Sequence, residues 1–138
     1  MTTAIPHDDA HAAAFERYMH GDCDLFALAT HAIRGWPIVV DLDQDGAYRH
    51  VLLECSPGTL FDVSGRRPRL SDADLSEYHG EPGSYRTVDR GWLMTNLPAR
   101  QRADLSTRLT QATHAAHDRL SAHHVAPCPQ DRRSGETT

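Results

Sequence analysis

Helical spacing of apolar residues marks the beginning of the chain. Residues 8–20 carry Ala12, Phe15 and Met19 on one stripe at helical spacing. An amphipathic helix buries such a stripe against a neighbouring element. We therefore expect residues 8–20 to form a helix that packs beside the next helix of the chain.

A second helix is predicted to begin at Cys23. Asp22 is a favourable N-cap residue, several Leu, Phe and Ala residues follow, and Gly35 suits the position just after the last turn. Cys23 then occupies the first helical position, where its N–H has no partner within the helix. This N–H is therefore a candidate donor to an oxyanion.

Strand patterns and turn dipeptides follow the second helix. Residues 38–42, 48–55 and 60–63 are apolar runs of strand length. The dipeptides Asp45-Gly46 and Pro57-Gly58 are typical of the turns that join adjacent strands. The pattern therefore predicts three consecutive strands of a small antiparallel sheet.

The second half of the chain contains both helix and strand patterns. Residues 71–78 are predicted to form a short capped helix, residues 84–88 a fourth strand and residues 91–94 a fifth. From residue 99 to about residue 124 a long amphipathic helix is predicted. Its apolar stripe consists of Leu105, Leu109, Ala112, Ala116 and Leu120. Residues 126–138 are polar and rich in proline and arginine, and they are predicted to be a disordered tail.

These elements predict an α+β fold. The helix that begins at Cys23 packs on the small antiparallel sheet, and the long C-terminal helix covers one side. A chain of 138 residues suits one domain, which we expect to span residues 1–125.

Composition narrows the classes of function. The net charge of −5 lacks the basic balance of a nucleic-acid-binding protein, and no apolar run approaches the length of a membrane span. The N-terminus lacks the pattern of a signal peptide, and three cysteines give no disulfide framework. We therefore expect a soluble cytoplasmic protein with no nucleic-acid or membrane partner.

Three residues occupy positions that suit a cysteine nucleophile. Cys23 lies at a predicted helix N-terminus, where the helix dipole favours a thiolate. His50 lies in the second predicted strand and Asp62 in the third, where an imidazole and a carboxylate can accept and stabilise a proton. Asp22 and Asp24 flank the thiol and act against its ionisation.

Strand parity tests whether His50 and Asp62 can meet. A regular two-residue turn at Pro57-Gly58 places Leu53 opposite Asp62 and turns His50 to the other face. An odd-numbered loop or one bulge places Leu52 opposite Asp62, with His50 diagonal to it. The pairing of His50 with Asp62 therefore requires an irregular hairpin.

The stretch from Gly21 to Gly65 resembles the papain-like and transglutaminase-like cysteine enzymes. The resemblance rests on Cys at a helix start, Gly-Trp-Pro leading into a strand, His in "Arg-His-Val-Leu-Leu-Glu" and Asp in "Leu-Phe-Asp-Val-Ser-Gly". It implies that Cys23 is the nucleophile, His50 the general base and Asp62 the residue that orients the imidazole. The family's upstream glutamine is missing, so Tyr18 is the candidate oxyanion donor. The resemblance further implies a peptidase, deamidase or transglutaminase of a small bacterial or phage type, with a protein or peptide substrate and no cofactor.

Other patterns give alternatives. Residues 41–46 match the opening of a calcium loop, but Leu52 replaces its final glutamate, so turn chemistry is favoured and no metal is expected. His114, His117 and the pair His123-His124 are interpreted as a solvated face rather than a zinc site. The arginines of residues 66–69 form a candidate basic rim for an acidic substrate.

Two further classes of function stay open. Cysteine is often simply a core residue, so the same scaffold suits a non-catalytic regulator that binds a partner protein. Burial of Cys23 away from His50 would favour that class. A metal-dependent hydrolase would require several histidines to converge with a carboxylate.

Overall fold

The structure, a computed structural model, describes residues 6–122. The predicted tail at residues 126–138 and the pair His123-His124 lie outside the described residues. In chain order the elements are α1 (Pro6–His20), α2 (Cys23–Arg34), β1 (Ile38–Asp43), β2 (Tyr48–Ser56), β3 (Thr59–Asp62), β4 (Gly65–Pro68), α3 (Asp72–His79), β5 (Gly83–Val88), α4 (Arg90–Thr95), α5 (Ala99–Arg102) and α6 (Leu105–Ala122).

The strands form one antiparallel sheet in the order β4-β3-β2-β1-β5. Strands β1 to β4 are sequential neighbours joined by short turns, whereas β5 pairs with the free edge of β1 after α3. The predicted α+β class with a small antiparallel sheet and a C-terminal helix is therefore confirmed.

The main core lies between one face of the sheet and the helices. Alternate residues of β1 and β2 point towards α2 and α6, as strand geometry requires. The buried cluster includes Ile38, Val40, Val51, Leu53 and Phe61 from the sheet, Leu25, Phe26 and Leu28 from α2, and Ala112, Ala116 and Leu120 from α6. The stripe predicted for the C-terminal helix is thus the face that packs on the core.

The opposite face of the sheet carries a smaller cluster. Val39, Leu52 and Leu60 are buried there, with Tyr85 packed against them. His50 follows the same alternation as Leu52, and Asp41 lies directly opposite His50 on β1. The polar residues of the candidate site thus belong to this second face.

Helix α2 begins and ends where the sequence predicts. Cys23 is its first residue, and Gly35 follows the helix with φ of 74°, a left-handed conformation that glycine adopts without steric cost. Asp22 occupies the N-cap position, but its side chain makes no capping hydrogen bond. On α1, Tyr18 is buried against Phe26, while Phe15 is exposed, so the predicted stripe is shifted.

Two predictions about elements were wrong, and one strand was not predicted. Residues 91–94, predicted as a strand, belong to α4, because the Asp89 carboxylate caps that helix by accepting the Trp92 N–H at 2.7 Å. The single helix predicted from residue 99 is two helices, since Asp104 has φ of 53° and breaks the chain direction between α5 and α6. The arginine-rich rim contains strand β4, which pairs with β3 and was not predicted.

Candidate active site

A bulge in the β2–β3 hairpin brings His50 and Asp62 onto one face. Ser56 pairs with Thr59, but the next pair is Glu54 with Leu60, so Cys55 is the extra residue. Leu53 then lies opposite Phe61, which sets Leu52 opposite Asp62. This is the irregular hairpin that the parity argument requires, and Cys55 itself is fully buried.

His50 and Asp62 are joined by a buried hydrogen bond. The Nε2 atom of His50 lies 2.9 Å from Oδ2 of Asp62. Arg67 on β4 places Nη2 3.0 Å from the same oxygen. Oδ1 of Asp62 accepts hydrogen bonds from the backbone N–H and the hydroxyl of Ser64, at 2.8 and 2.5 Å. Every face of this carboxylate is therefore occupied by donors.

These donors keep Asp62 ionised despite its burial. Burial alone acts to raise the pKa of Asp62, but the hydrogen bond from His50, the charge of Arg67 and the bond from Ser64 outweigh it and lower the pKa below its usual value. An ionised carboxylate can only accept, so the proton of this bond lies on Nε2 of His50. In the neutral ring, Nδ1 is then the nitrogen able to accept a proton.

The Cys23 thiol lies at the start of α2, and Cys23 packs in the main core with Val51 of β2. Hydrogen bonding with the backbone of Val51, Asp24 and Cys23 itself acts to lower the pKa of the thiol. Because Val51 directly follows His50, the thiol lies beside the strand that carries the candidate base. The pairing of β2 with β3 ends at Leu53, so the N–H of Val51 is available to the sulfur.

In the free protein this thiol is protonated. Burial, followed by the charge of Asp24, raises the pKa of Cys23 to about 12. The residue is 8% exposed. Among the described residues, the sulfur makes no hydrogen bond with His50, whose Nε2 is engaged with Asp62. The structure thus brings His50 and Asp62 into contact on the second face of the sheet, whereas Cys23 belongs to the main-core cluster together with Val51.

Tyr18 lies apart from this group. Its ring packs on Phe26 with centroids 5.6 Å apart and carries the guanidinium of Arg17 over its other side. Burial raises the pKa of its hydroxyl. Tyr18 lines a separate cavity of about 270 Å³ beside α1 and α6, together with Gln111. Its role as an oxyanion donor stays a prediction.

A polar clamp that the sequence did not reveal holds the turn before Cys23. Gln101 of α5 is fully buried and donates through Nε2 to the backbone oxygen of Gly21 at 2.8 Å and to Oδ1 of Asp22 at 2.9 Å. Arg17 donates to Oδ2 of Asp22 at 2.8 Å. No local sequence pattern could predict the role of Gln101, because its partners lie about 80 residues earlier in the chain.

A second histidine–carboxylate pair lies on the same face of the sheet. Nε2 of His79, the last residue of α3, is 2.6 Å from Oδ2 of Asp41. Nη2 of Arg49 lies 3.1 Å from Oδ1 of Asp41. Both pairs border a cavity of about 480 Å³ whose polar walls are Asp41, Arg49, His50, Arg67 and His79. No local sequence pattern links Asp41 with His79, which lies 38 residues later in the chain.

Metal-binding alternatives find no support in the described part of the chain. Among the side chains that the structure describes, those of residues 13–121, no group of three or more His, Cys, Asp or Glu is placed to hold a metal ion. Oδ1 of Asp43 instead accepts the N–H groups of Asp45 and Ala47, so the calcium-like segment is an ordinary turn. His114 and His117 are exposed on α6.

Comparisons add no relative. No family model, no curated protein and no solved structure matches the chain. Within the described residues, every helix is too short or too polar to cross a bilayer.

Proposed function

We propose that this protein is a cysteine hydrolase or acyl transferase of the papain-like or transglutaminase-like type, with Cys23, His50 and Asp62 as its triad. The observation that carries the proposal is the buried hydrogen bond between His50 and the ionised Asp62, in a fold that places Cys23 as the first residue of α2. These are the parts that a thiol nucleophile requires.

In the first step, sulfur attacks a carbonyl carbon of a protein or peptide substrate. Nδ1 of His50 takes the thiol proton as the carbon–sulfur bond forms, and Asp62 stabilises the resulting imidazolium. The backbone N–H of Cys23, which has no partner within α2, is a donor to the oxyanion. His50 then returns the proton to the leaving group, and a thioester remains on Cys23. Water or an amine releases the acyl group in the second step.

The raised pKa of Cys23 fits a thiol that ionises only during attack. A thiol with a pKa of about 12 is almost wholly protonated at neutral pH, so proton removal by His50 must accompany carbon–sulfur bond formation. Hydrogen bonds between catalytic groups are often long in free enzymes and shorten in the substrate complex. The missing bond between sulfur and imidazole in the free chain accords with that behaviour.

The test is acylation by p-nitrophenyl acetate, followed by intact-mass spectrometry and peptide mapping. Wild type is expected to accept an acetyl group at Cys23 and to lose it slowly, whereas Cys23→Ser is not acylated at that position. His50→Ala should slow acylation about 10²- to 10⁴-fold, as expected for loss of a general base. His31→Ala is the matched control, because His31 lies in α2 and is hydrogen-bonded to Trp36 at the far end of that helix.

Burial and the raised pKa of Cys23 also favour one alternative, a non-catalytic scaffold that binds a regulatory partner. In that case Cys23 is a core residue, and its acylation should be equally slow in wild type, His50→Ala and His31→Ala. That result would contradict the enzymatic proposal.

A further inference from the structure

The proposed triad leaves unexplained a cavity beside His50 on the second face of the sheet. At about 480 Å³ it is within the size range of small-ligand sites. His50 forms part of one wall, and Met19 and His20, which end α1 just before Cys23, form another. A group bound in this cavity would therefore lie close to the proposed base.

The carboxylates at this cavity are already fully engaged. Asp41 accepts from Arg49 and His79, and Asp62 accepts from His50, Arg67 and Ser64. Neither aspartate offers its charge to a cationic ligand without losing an arginine and a histidine. Asp41 and Asp62 thus hold the neighbouring arginine and histidine side chains in position.

The arginines, in contrast, keep unused donors. Nε and Nη1 of Arg49 and Nε of Arg67 are buried and have no hydrogen-bond partner. Nη1 of Arg49 lies 3.7 Å from Oε1 of Glu81, which is too long for a hydrogen bond. The two guanidinium groups that line the cavity thus carry positive charge with incomplete hydrogen bonding.

The guanidinium of Arg49 occupies a space beside β5 that exists because residue 83 is glycine. Its Nη2 packs directly against the backbone of Gly83 on β5, where any Cβ atom would overlap the guanidinium. The same nitrogen is fixed by Asp41 and by the backbone oxygen of Leu42 at 3.2 Å. The guanidinium is therefore held in position before any ligand arrives.

The remaining walls are apolar. Leu70, Leu75, Tyr78 and Tyr85 line the cavity. Tyr78 is 72% exposed, which is unusual for a large aromatic side chain. A ligand that satisfies both kinds of wall combines an apolar body with an anionic end.

We propose that this cavity binds a substrate through a carboxylate, received by the guanidinium groups of Arg49 and Arg67, with an apolar body against Leu75 and Tyr85. Paired N–H groups of a guanidinium match the two oxygens of a carboxylate. The carboxylate belongs to an acidic side chain or to a chain terminus. The inference rests on the proposed function in calling the ligand a substrate, whereas the binding itself does not depend on Cys23.

The test measures binding to Cys23→Ser by NMR titration, so that acylation plays no part. The probes are 4-phenylbutyrate and its neutral counterpart 4-phenylbutanamide. The acid is expected to bind about tenfold more tightly, in line with one desolvated charge-assisted pair. Arg67→Lys and Arg49→Lys keep the positive charge beside each aspartate, so that folding is supported, but they remove the paired donors. Each should reduce the preference for the acid to less than about twofold.

Arg66→Lys is the matched control, since Arg66 lies on the same strand as Arg67 but pairs with Phe61, which faces the main core. It should keep the tenfold preference. Equal affinity for the acid and the amide, or a preference that survives both lysine variants, would overturn the proposal. Tighter binding of phenyl phosphate than of 4-phenylbutyrate would overturn the assignment to a carboxylate. Acid binding together with a failure of acylation at Cys23 would count against the proposed function alone.

Discussion

Asp62→Asn is the substitution that examines the site most directly. The amide keeps the size of the carboxylate but has one acceptor where Asp62 uses two. In wild type, donors of His50 and Arg67 lie 2.9 and 3.0 Å from Oδ2 of Asp62. If the amide oxygen of the variant side chain stays with Ser64, its NH₂ group faces these two donors. Two charge-assisted bonds at about 1.5–3 kcal/mol each are then lost. We expect destabilisation of about 3–5 kcal/mol, the range typical of a broken buried ion pair.

The same change should disable the proposed base. An NH₂ group opposite Nε2 of His50 requires that nitrogen to be an acceptor, which moves the ring proton to Nδ1. Nδ1 can then no longer take the thiol proton of Cys23. Loss of the orienting carboxylate in a serine triad lowers kcat about 10⁴-fold, and a similar fall is expected in acylation of Cys23 by p-nitrophenyl acetate.

Urea unfolding and acylation rates provide the two readouts, with Asp45→Asn as the control. Asp45 is exposed in the β1–β2 turn, and its amide variant should stay within about 0.5 kcal/mol of wild type. Because the folded-state pKa of Asp62 is lowered, its stabilising effect is present above the unfolded value of about 3.9 and is lost as the pH falls. The stability gap between wild type and Asp62→Asn should therefore narrow below about pH 4. A gap under about 1 kcal/mol at pH 7, or unchanged acylation, would refute the reasoning.

Three further substitutions test other parts of the structure. Asp24→Asn removes the negative charge beside the thiol and should lower the pKa of Cys23 from about 12, seen as faster iodoacetamide labelling at high pH; unchanged labelling would argue against that charge effect. Gln101→Leu leaves the Gly21 oxygen and Asp22 without their amide donor and should cost about 1–3 kcal/mol in urea unfolding, with near-neutral stability as the contrary outcome. Gly35→Ala should cost about 1 kcal/mol and lower Tm, since its φ of 74° is unfavourable for alanine.

Local chemistry explains what could be predicted from the sequence. The end of α2 follows from Gly35, and the hairpin follows from Pro57-Gly58, because these signals act within a few residues. Asp22 occupies the predicted N-cap position without making a capping hydrogen bond. The sequence required a bulge in the β2–β3 hairpin only if His50 and Asp62 meet. The observed register contains such a bulge, at Cys55.

The errors arose where distant contacts decide the outcome. Residues 91–94 have strand-forming composition, yet the cap from Asp89 and packing of Leu93 in the core make them helical. The burial that raises the pKa of Cys23 depends on the packing of the whole core and outweighs the helix dipole. Gln101 reaches its partners across about 80 residues, beyond any local pattern.

The clamp made by Gln101 has a consequence for biosynthesis. Cys23, His50 and Asp62 are all synthesised before the residue that fixes the turn preceding the thiol. At about 5–20 residues per second, the ribosome reaches Gln101 roughly 4–16 s after Cys23. From the addition of Asp62 until that point, the nascent chain contains every proposed catalytic group but lacks the buried amide that ties Gly21 and Asp22 to the rest of the domain. The turn before the nucleophile is therefore completed late, when α5 has been added, which delays its final arrangement until most of the protein has been made.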